Sequence, residues 1–544
     1  MIDWSTQNVT RRHVLAKLGA GAGAILSSST YASGDTEIAR GRVYEDVGGR
    51  SSRTGFEPGI AGVMVSNGRD VTLTRSDGAW ALPVRHGDTI FVIKPPHWAV
   101  AQSAGGAAGH YLYQPHGTPL ELGLTTPRVA PTGRKPVSID FPLVRCREPV
   151  AFEALLVADT QAANALELSF ARTEILSCVA FTKPAFAIHH GDVLGDDLRL
   201  FPEHLAITAE TGIPWHHCPG NHDMNLDSPA HSHAFEAWKA SIGPTHTAFQ
   251  YAGATFILLN NVEYFGRGSR QRSERGYRGY IGADQLQFVA NVLRNVPLDH
   301  LVVVSMHIPL VSFEAPQSIA DTTADRRALL NLLSGRKHTV SFAGHSHTTE
   351  HHYLGSDDGF NGAAPHHHHV LTAACGSWWS GPCDARGIPV AESRDGSPKG
   401  IHVLSVEGNR YTTRLVSPSA GQAPLRAMIC DLAGEPGGDQ NAARQLLVDV
   451  FDGGPRTRVS IAIDGVTSGA IALQKTAMED PHIVDHYARH KALCKPWVAP
   501  ALSSHIWAAP LPSGLGSGPI DAVIKVETEY GHVHEVRQTL VASA

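Results

Sequence analysis

Residues 185–192 read AFAIHHGD, a short apolar run that leads directly into a glycine and an aspartate. The same arrangement occurs before it, in ALLVADTQ at 154–161, and after it, in IPWHHCPGNHD at 213–223. Two more runs end on histidines, LVVVSMH at 301–307 and VSFAGHSH at 340–347. Short apolar runs that stop at polar residues are typical of buried strands whose carboxyl ends carry ligand-binding side chains.

Segments with helical character separate several of these runs, for example Asn164–Ala180 and Asp284–Asn295. Buried strands that alternate with helices indicate an α/β layer structure. We therefore expect the polar residues at the strand ends to meet at one edge of the predicted sheet structure.

The polar residues at these strand ends are carboxylates, amides and imidazoles. In chain order they are Asp159, Gln161, Asp192, Asn221, His222, Asp223, His307, His345 and His347. Oxygen and imidazole ligands in this mixture suit borderline or hard divalent metal ions. A pair of ions needs a bridging carboxylate, and Asp192 is the natural candidate because Gly191 permits close backbone approach there.

The ordered motifs resemble those of the calcineurin-like metallophosphoesterases: an Asp-x-His box, Gly-Asp, Gly-Asn-His-Asp/Glu, a lone His, and Gly-His-x-His. This chain has DTQ at 159–161, GD at 191–192, GNHD at 220–223, His307 and GHSH at 344–347. The sequences CGSWW at 375–379, DGSP at 395–398 and SHIW at 504–507 resemble a subfamily with additional N- and C-terminal β domains. The resemblance covers nearly the whole chain after its N-terminal segment.

The resemblance implies two divalent or mixed-valence transition-metal ions, drawn from Mn, Fe, Zn or Mg. It assigns Asp159, Asp192 and His347 to the first ion, and Asp192, Asn221, His307 and His345 to the second. Gln161 departs from the pattern, because many relatives have His there. Gln161 can ligate directly, ligate through water, or leave a position open, and its hard oxygen favours manganese, magnesium or iron over zinc.

The resemblance also implies a hydrolase that acts on phosphoric ester bonds. A metal-bridging hydroxide attacks phosphorus in line, because bound metals lower the pKa of water from 15.7 to about 7. His222 faces the substrate as a general acid for the leaving alkoxide, and Asp223 orients its ring. We expect a small-molecule phosphoester substrate.

Two other functions are compatible with the same residues. The first is a nucleotide diphosphatase or nucleotidase, which activity on ATP and nucleoside diphosphate-alcohols separates from a general phosphatase or phosphodiesterase. The second is a non-catalytic envelope-binding protein with a relic phosphoesterase core, which predicts no metal and no turnover. The complete set of ligands argues against a relic, since nothing physical favours keeping mutually repelling buried carboxylates together.

The length of 544 residues indicates about three domains. Strand-like runs and turn signals predict an N-terminal β-sandwich at 36–146 and a C-terminal β-sandwich at 423–544. Between them we predict a catalytic domain at 150–418, which the resemblance makes a four-layer αββα sandwich. The run His366–His369 is expected at a strand entry or in a loop rather than in a metal site.

Residues 1–34 resemble a twin-arginine export signal, with Arg11 and Arg12 before an apolar run to Leu26. They predict a periplasmic or extracellular protein. No later window has the roughly 18 apolar residues of a transmembrane anchor. The net charge of −6 favours no nucleic-acid partner. The seven cysteines form no CxxC pair, and a Cys375–Cys383 bridge stays open.

Overall fold

The fold is seen in a computed structural model that describes residues 37–48, 55, 57–100, 109–268, 276–418, 424–431, 444–466, 469–512, 515 and 518–541. All of these residues lie in one compact unit, Glu37–Ala544. The predicted export signal at 1–34 falls outside the described residues. Within the described ranges, no helix combines the length and the apolarity needed to cross a membrane.

The N-terminal part consists of short strands in two sheets. The strands are β1 (Glu37–Glu45), β2 (Met64–Ser66), β3 (Val71–Leu73), β4 (Ala79–Val84), β5 (Thr89–Ile93), β6 (Trp98–Val100), β7 (His110–Leu112) and β8 (Phe141–Arg145). One sheet has the order β4-β1-β8-β6 and the other β3-β2-β5-β7, with four strands each. Both sheets contribute to a shared apolar cluster that includes Val43, Trp80, Ile90 and Leu143.

The middle part alternates strands and helices. Its strands are β9 (Ala151–Val157), β10 (Phe186–His190), β11 (Trp215–Cys218), β12 (Thr247–Tyr251), β13 (Ala254–Leu258), β14 (Val262–Tyr264), β15 (Tyr277–Gly279), β16 (Leu301–Ser305), β17 (Thr339–Ala343), β18 (Glu350–Leu354), β19 (His366–Val370), β20 (Ile401–Glu407) and β21 (Arg410–Val416). Its α-helices are α1 (Ala165–Thr182), α2 (Phe201–Glu210), α3 (Glu236–Ser241), α4 (Ala283–Arg294) and α5 (Arg326–Leu333). The predicted α/β character and the helices expected at 164–180 and 284–295 are thus confirmed.

Two central sheets are built from these strands. One has five strands in the order β11-β10-β9-β20-β21, and the other has six in the order β12-β13-β16-β17-β19-β18. Apolar side chains of both sheets pack against each other, among them Leu156 and Ile188 from the first and Phe256, Val303 and Phe342 from the second. Each such buried side chain contributes roughly 1.5–3 kcal/mol to folding.

Helices cover the outer faces of both central sheets. Helices α4 and α5 pack on the six-stranded sheet through Phe288, Leu329 and Leu330. Helix α1 packs on the other sheet through Ile175 and Cys178. Helix α1 begins where the side chain of its N-cap residue Asn164 accepts a hydrogen bond from the backbone of Glu167. This capping starts the helix directly after the loop that carries Asp159 and Gln161.

The C-terminal part returns to β structure. It contains β22 (Leu425–Asp431), β23 (Arg444–Val450), β24 (Arg458–Ile463), β25 (Ile471–Ala472), β26 (Gln474–Glu479), α6 (Pro481–Arg489), β27 (Leu502–Pro510), β28 (Ile520–Glu527) and β29 (Val533–Leu540). The strands form two four-stranded sheets, β22-β23-β27-β26 and β25-β24-β28-β29, that share an apolar core.

The histidine run and the cysteines were the two features that the sequence left open or placed differently. The run His366–His369, expected at a strand entry or in a loop, forms the body of the buried strand β19. Burial is possible because neighbouring groups satisfy the ring nitrogens: Ser341 Oγ lies 2.8 Å from both His366 Nε2 and His368 Nδ1. All seven cysteines are free thiols, so Cys375 and Cys383 are not bridged.

Candidate metal centre

The predicted metal-binding residues come together where the central strands end. Asp159 and Gln161 follow β9, Asp192 follows β10, Asn221 follows β11, His307 follows β16, and His345 and His347 follow β17. Five of them have positive φ angles: Asp159 (51°), Gln161 (38°), Asp192 (49°), His345 (80°) and His347 (56°). Backbone strain of this kind costs on the order of 1 kcal/mol per residue and gathers at functional sites.

Three glycines of the motifs let the strand ends approach closely. A Cβ atom on Gly191 would lie 2.6 Å from the ring of His307, and one on Gly220 would lie 2.2 Å from Asp192 Oδ1. A Cβ atom on Gly344 would lie 2.3 Å from Asp159 Oδ2. Side chains at these positions would therefore push the candidate ligands apart.

One set of ligand atoms surrounds His307. Its Nδ1 donates to the backbone carbonyl of His190 at 2.8 Å, so in the neutral ring Nε2 carries a lone pair. That lone pair faces Asn221 Oδ1 at 3.0 Å and Asp192 Oδ2 at 3.3 Å, and Nδ1 of His345 is 3.1 Å away. Acceptor atoms that point at each other need a cation between them.

The second set contains Asp159 and His347. His347 Nδ1 donates to the carbonyl of Gly376 at 2.7 Å, which leaves Nε2 free to ligate, 3.8 Å from Asp159 Oδ1. The backbone N–H of His345 donates to both Asp159 oxygens, at 3.0 and 3.1 Å. Gln161 Oε1 is buried nearby in the same loop without a hydrogen-bond partner.

The contacts group Asp192 with Asn221, His307 and His345, and they group Asp159 with His347. Ligand atoms of Asp192, His307 and His345 lie within 4.8 Å of one another. Burial opposes a charge on His307, yet the carboxylate of Asp192 raises its pKa to about 9. The site thus attracts a positive charge strongly, and the convergent lone pairs together with the orphaned Gln161 oxygen fit divalent metal ions.

Outer contacts fix the ligands in place. His345 Nε2 lies 3.1 Å from Asp321 Oδ1, which leaves Nδ1 directed at the centre. The backbone N–H of His222 donates to Asp192 Oδ1 at 2.8 Å. Carboxylate and carbonyl partners of this kind set the tautomer and direction of metal-binding imidazoles. Sequence reasoning missed Asp321, which lies in an irregular segment without a motif.

The prediction that Asp223 orients the ring of His222 is wrong. The Asp223 carboxylate accepts backbone N–H groups of Val193, Leu194 and Gly220, at 2.8–3.2 Å. Asp223 therefore braces the loops of the GD and GNHD motifs. The partner of the His222 ring is Asp196, whose Oδ1 lies 2.7 Å from Nδ1. Asp196 is the first of the two adjacent aspartates in GDD, 195–197, and this pair was the available signal for it.

A cavity of about 580 Å³ lies over these side chains. His222, whose side chain is 34% exposed, lines it together with Gln161, Asp192 and His345. Residues distant in sequence complete the wall: Trp378, Arg394, Lys495 and Trp497. Trp378 stacks on His347 with ring centroids 4.1 Å apart, and Trp497 lies edge-on to Trp378 at 6.2 Å.

Gln161→Leu tests whether the orphaned oxygen is a ligand. We expect the metal-free variant to melt at or above the wild-type temperature, because an unpartnered buried acceptor is removed. Metal affinity should fall by about 10-fold or more. Melting curves and chelator-competition titrations measure the two effects. Gln161→Glu is the matched variant and should bind metal more tightly. Wild-type affinity in the Leu variant would show that Gln161 is no ligand.

Comparisons with known proteins agree with the motifs. Residues 368–534 match the family described as the C terminal of calcineurin-like phosphoesterase. This match confirms the resemblance to calcineurin-like phosphoesterases that the sequence motifs indicated. No curated protein sequence matches the chain.

Several solved phosphatase structures are similar to the chain at low sequence identity. A dimetal phosphatase from Danio rerio is 17% identical and has a TM-score of 0.33. The match covers 50% of this chain and 97% of the phosphatase chain. The purple acid phosphatase PPD1 from yellow lupin is 12% identical, with coverages of 71% and 68% and a TM-score of 0.36. A phosphatase from Mycoplasma pneumoniae is 12% identical, with coverages of 50% and 95% and a TM-score of 0.27.

Proposed function

We propose that the protein is a metal-dependent phosphoester hydrolase with a binuclear centre. Asp159 and His347 would hold one ion, and Asn221, His307 and His345 the other, with Asp192 shared between them. The observation that carries the proposal is the convergence of Asn221 Oδ1 and Asp192 Oδ2 on His307 Nε2, next to the Asp159–His347 pair. Gln161 supplies a further oxygen to the Asp159 side.

When bound, the ion pair would supply a hydroxide nucleophile at neutral pH and would stabilise negative charge on the phosphoryl oxygens. The chain contributes rigidity. His307 is fixed by the carbonyl of His190, and His345 by the carboxylate of Asp321. Groups that are already oriented need no reorganisation during the reaction, which is the largest source of electrostatic catalysis.

His222 is proposed to protonate the leaving alkoxide. Its ring lines the cavity beside Asp192 and is partly exposed to it. With Nδ1 bonded to Asp196, the proton on Nε2 is the one that faces the substrate. Asp196 also lines the cavity, and it is proposed as a positioning residue because its carboxylate holds the imidazole.

The substrate is proposed to be a small phosphomonoester or phosphodiester, consistent with phosphate scavenging or the editing of envelope material. The cavity wall also favours a second candidate, a nucleotide diphosphatase or nucleotidase. Trp378 and Trp497 provide an aromatic surface on which a base can stack, and Lys495 and Arg394 bring positive charge to the same wall. Both cations already pair with carboxylates, Lys495 with Glu167 and Arg394 with Glu314.

Trp497→Ala distinguishes the two substrate classes. Trp497 is 60% exposed and lines the cavity, so its loss should leave the fold intact. We expect KM for nucleotide substrates to rise about 10-fold, because base stacking contributes roughly 1–3 kcal/mol. KM for a small alkyl phosphate should not change, and Trp497→Phe should retain most of the affinity. Equal effects on both substrates would contradict a stacking role.

The domain architecture and the cellular localisation of the chain are part of the same proposal. The two central sheets with their outer helices would form a four-layer αββα sandwich at 150–418. The strands at 36–146 and 423–544 would form the flanking β-sandwich domains. Residues 1–34 would direct export by the twin-arginine route to the periplasm or the medium.

The decisive experiment combines metal analysis of the purified protein with a panel of phosphoesters, assayed before and after chelation. We expect about two metal equivalents at this centre and turnover that chelation abolishes and metal restores. Bis-p-nitrophenyl phosphate, ATP and a nucleoside diphosphate-alcohol separate the diesterase, nucleotidase and diphosphatase activities. Turnover that survives complete metal removal would contradict the proposal.

A further inference from the structure

A second group of potential ligands lies outside the candidate centre, around the carboxylate of Asp452. His351 on β18 and His369 on β19 are directly opposite each other in the antiparallel register. Asp452 follows β23 of a C-terminal sheet, and His402 approaches from β20 of the five-stranded sheet. All three histidines are buried. The group therefore joins three sheets at one point.

The ligand atoms of this group are close together. Asp452 Oδ1 lies 3.2 Å from His351 Nε2 and 3.2 Å from His369 Nε2. The ligand atoms of these three residues all lie within 4.8 Å of one another. His369 Nε2 is buried and makes no hydrogen bond, although Asp452 Oδ1 lies 3.2 Å away. A buried nitrogen without a partner is costly, so a group that binds it is expected.

Contacts on the far side of each ring allow both Nε2 atoms to face Asp452, and His351 Nε2 lies within hydrogen-bond distance of Asp452 Oδ1. His351 Nδ1 lies 2.9 Å from His367 Nε2, and His367 Nδ1 lies 2.7 Å from the hydroxyl of Tyr411. His369 Nδ1 lies 3.4 Å from Thr413 Oγ1. When Nδ1 donates outward to such partners, the Nε2 lone pair points inward, as in metal-binding imidazoles.

His402 has a different role. The backbone N–H of Thr372 donates to its Nε2 at 3.2 Å, so the neutral ring carries its proton on Nδ1. That nitrogen lies 3.8 Å from Asp452 Oδ1. At this distance His402 Nδ1 makes no hydrogen bond, so His402 neighbours the carboxylate without offering a lone pair to the site.

We propose that His351, His369 and Asp452 bind one divalent transition-metal ion at a mononuclear site separate from the candidate binuclear centre. Two imidazoles and a carboxylate suit zinc, iron, nickel or copper, and exclude a calcium-type site, which needs six or more oxygens. Tetrahedral ligands about 2.0–2.1 Å from zinc are separated by roughly 3.3 Å, close to the observed spacing.

The proposed site would be open to a cavity on one side, and one of its histidine rings would have to rotate when a metal binds. Asp452 lines a cavity of about 550 Å³ together with Glu529, Tyr530 and His532, so a water molecule can reach a remaining coordination position. The rings of His351 and His369 stack at 3.9 Å with 21° between their planes. Because a metal lies in the plane of an imidazole, binding turns at least one ring about its Cβ–Cγ bond.

Cobalt titration of the metal-free protein tests the site. Co²⁺ is the probe, and equivalents bound per chain are measured with the visible absorption of the bound ion. We expect Asp452→Asn to bind one equivalent fewer than the wild type and to keep kcat/KM for phosphoesters within about twofold. Asp192→Asn should still bind one equivalent of Co²⁺, held by the Asp452 site. The double variant that combines Asp192→Asn with Asp452→Asn should lose this equivalent.

Two further variants make the result decisive. His352 lies on the same strand, where its Nε2 is 2.7 Å from Glu350, so His352→Gln is the matched control and should bind as the wild type. If Asp452→Asn does not fold, as judged by circular dichroism and gel filtration, His369→Gln replaces it. The proposal is overturned if neither variant binds less Co²⁺ than the wild type. A difference of one equivalent supports the mononuclear site even when phosphoesterase activity is absent.

Discussion

Asp192→Asn is expected to lower kcat/KM by about 1,000-fold or more. Asp192 is the only one of the proposed ligands assigned to both ions, so its neutralisation removes the negative charge that lets two cations lie side by side. Metal-ion catalysis is worth several kcal/mol, and each 1.36 kcal/mol corresponds to a factor of ten. The Asn oxygen can still accept the backbone N–H of His222, so the loop should keep its conformation. Steady-state assays with p-nitrophenyl phosphate and metal analysis measure the effect.

The matched control for this variant lies in the same loop. Asp197 pairs with Arg199 at 2.8 Å, its side chain is 28% exposed, and it is not among the residues that line the cavity. Asp197→Asn should therefore retain activity within about twofold, because surface pairs contribute little. If Asp192→Asn kept full activity that chelators do not affect, a metal-dependent reaction at this centre would be ruled out.

The arrangement of the centre was largely predictable because strand geometry constrains it. Apolar runs that stop at Asp159, Asp192 and Asn221 must end near one another because β9, β10 and β11 pair in parallel within one sheet. His307 follows β16 of the six-stranded sheet and joins them through the packing of the two sheets. The motif glycines indicated close approach, and the structure shows how little space they leave. Periodicity thus determines which backbone ends meet, and the residue types determine what they can bind.

Side-chain direction within a loop was not predictable in the same way. Asp223 follows His222 in sequence, which suggested a contact, but its carboxylate turns towards the backbone of Val193 and Leu194. Asp196 reaches the ring because it adopts a positive φ of 73° in the loop after Asp192. The identity of the partner depends on two loops folding together, and no local pattern encodes that.

The outer wall of the cavity and the buried histidine strand depend on tertiary packing. Lys495 and Trp497 come from the segment after α6, more than 270 residues beyond His222, so no spacing rule links them to the centre. The run at 366–369 lacks the apolar residues of a core strand. It is buried because Thr339 and Ser341 supply hydrogen-bond partners for the ring nitrogens of His366 and His368. Sequence alone does not show that these partners are present.

His222→Gln is expected to reduce the hydrolysis of an alkyl phosphate by about 100- to 10,000-fold, the usual contribution of general acid catalysis. The loss should be much smaller for p-nitrophenyl phosphate, because nitrophenolate leaves without needing a proton. The ratio of kcat values for the two substrates therefore isolates proton donation from any general damage to the site. The backbone N–H of residue 222, which Asp192 accepts, is retained in the variant.

Asp196→Asn separates proton donation from ring positioning. Its amide can still accept from His222 Nδ1 but carries no charge, so we expect a 10- to 100-fold loss with alkyl phosphate and little change with p-nitrophenyl phosphate. A loss that is smaller than that of His222→Gln but again falls mainly on alkyl phosphate would show that Asp196 acts on proton donation through His222. Equal losses with both substrates in His222→Gln would instead assign His222 to binding the phosphoryl oxygens, because that interaction does not depend on the leaving group.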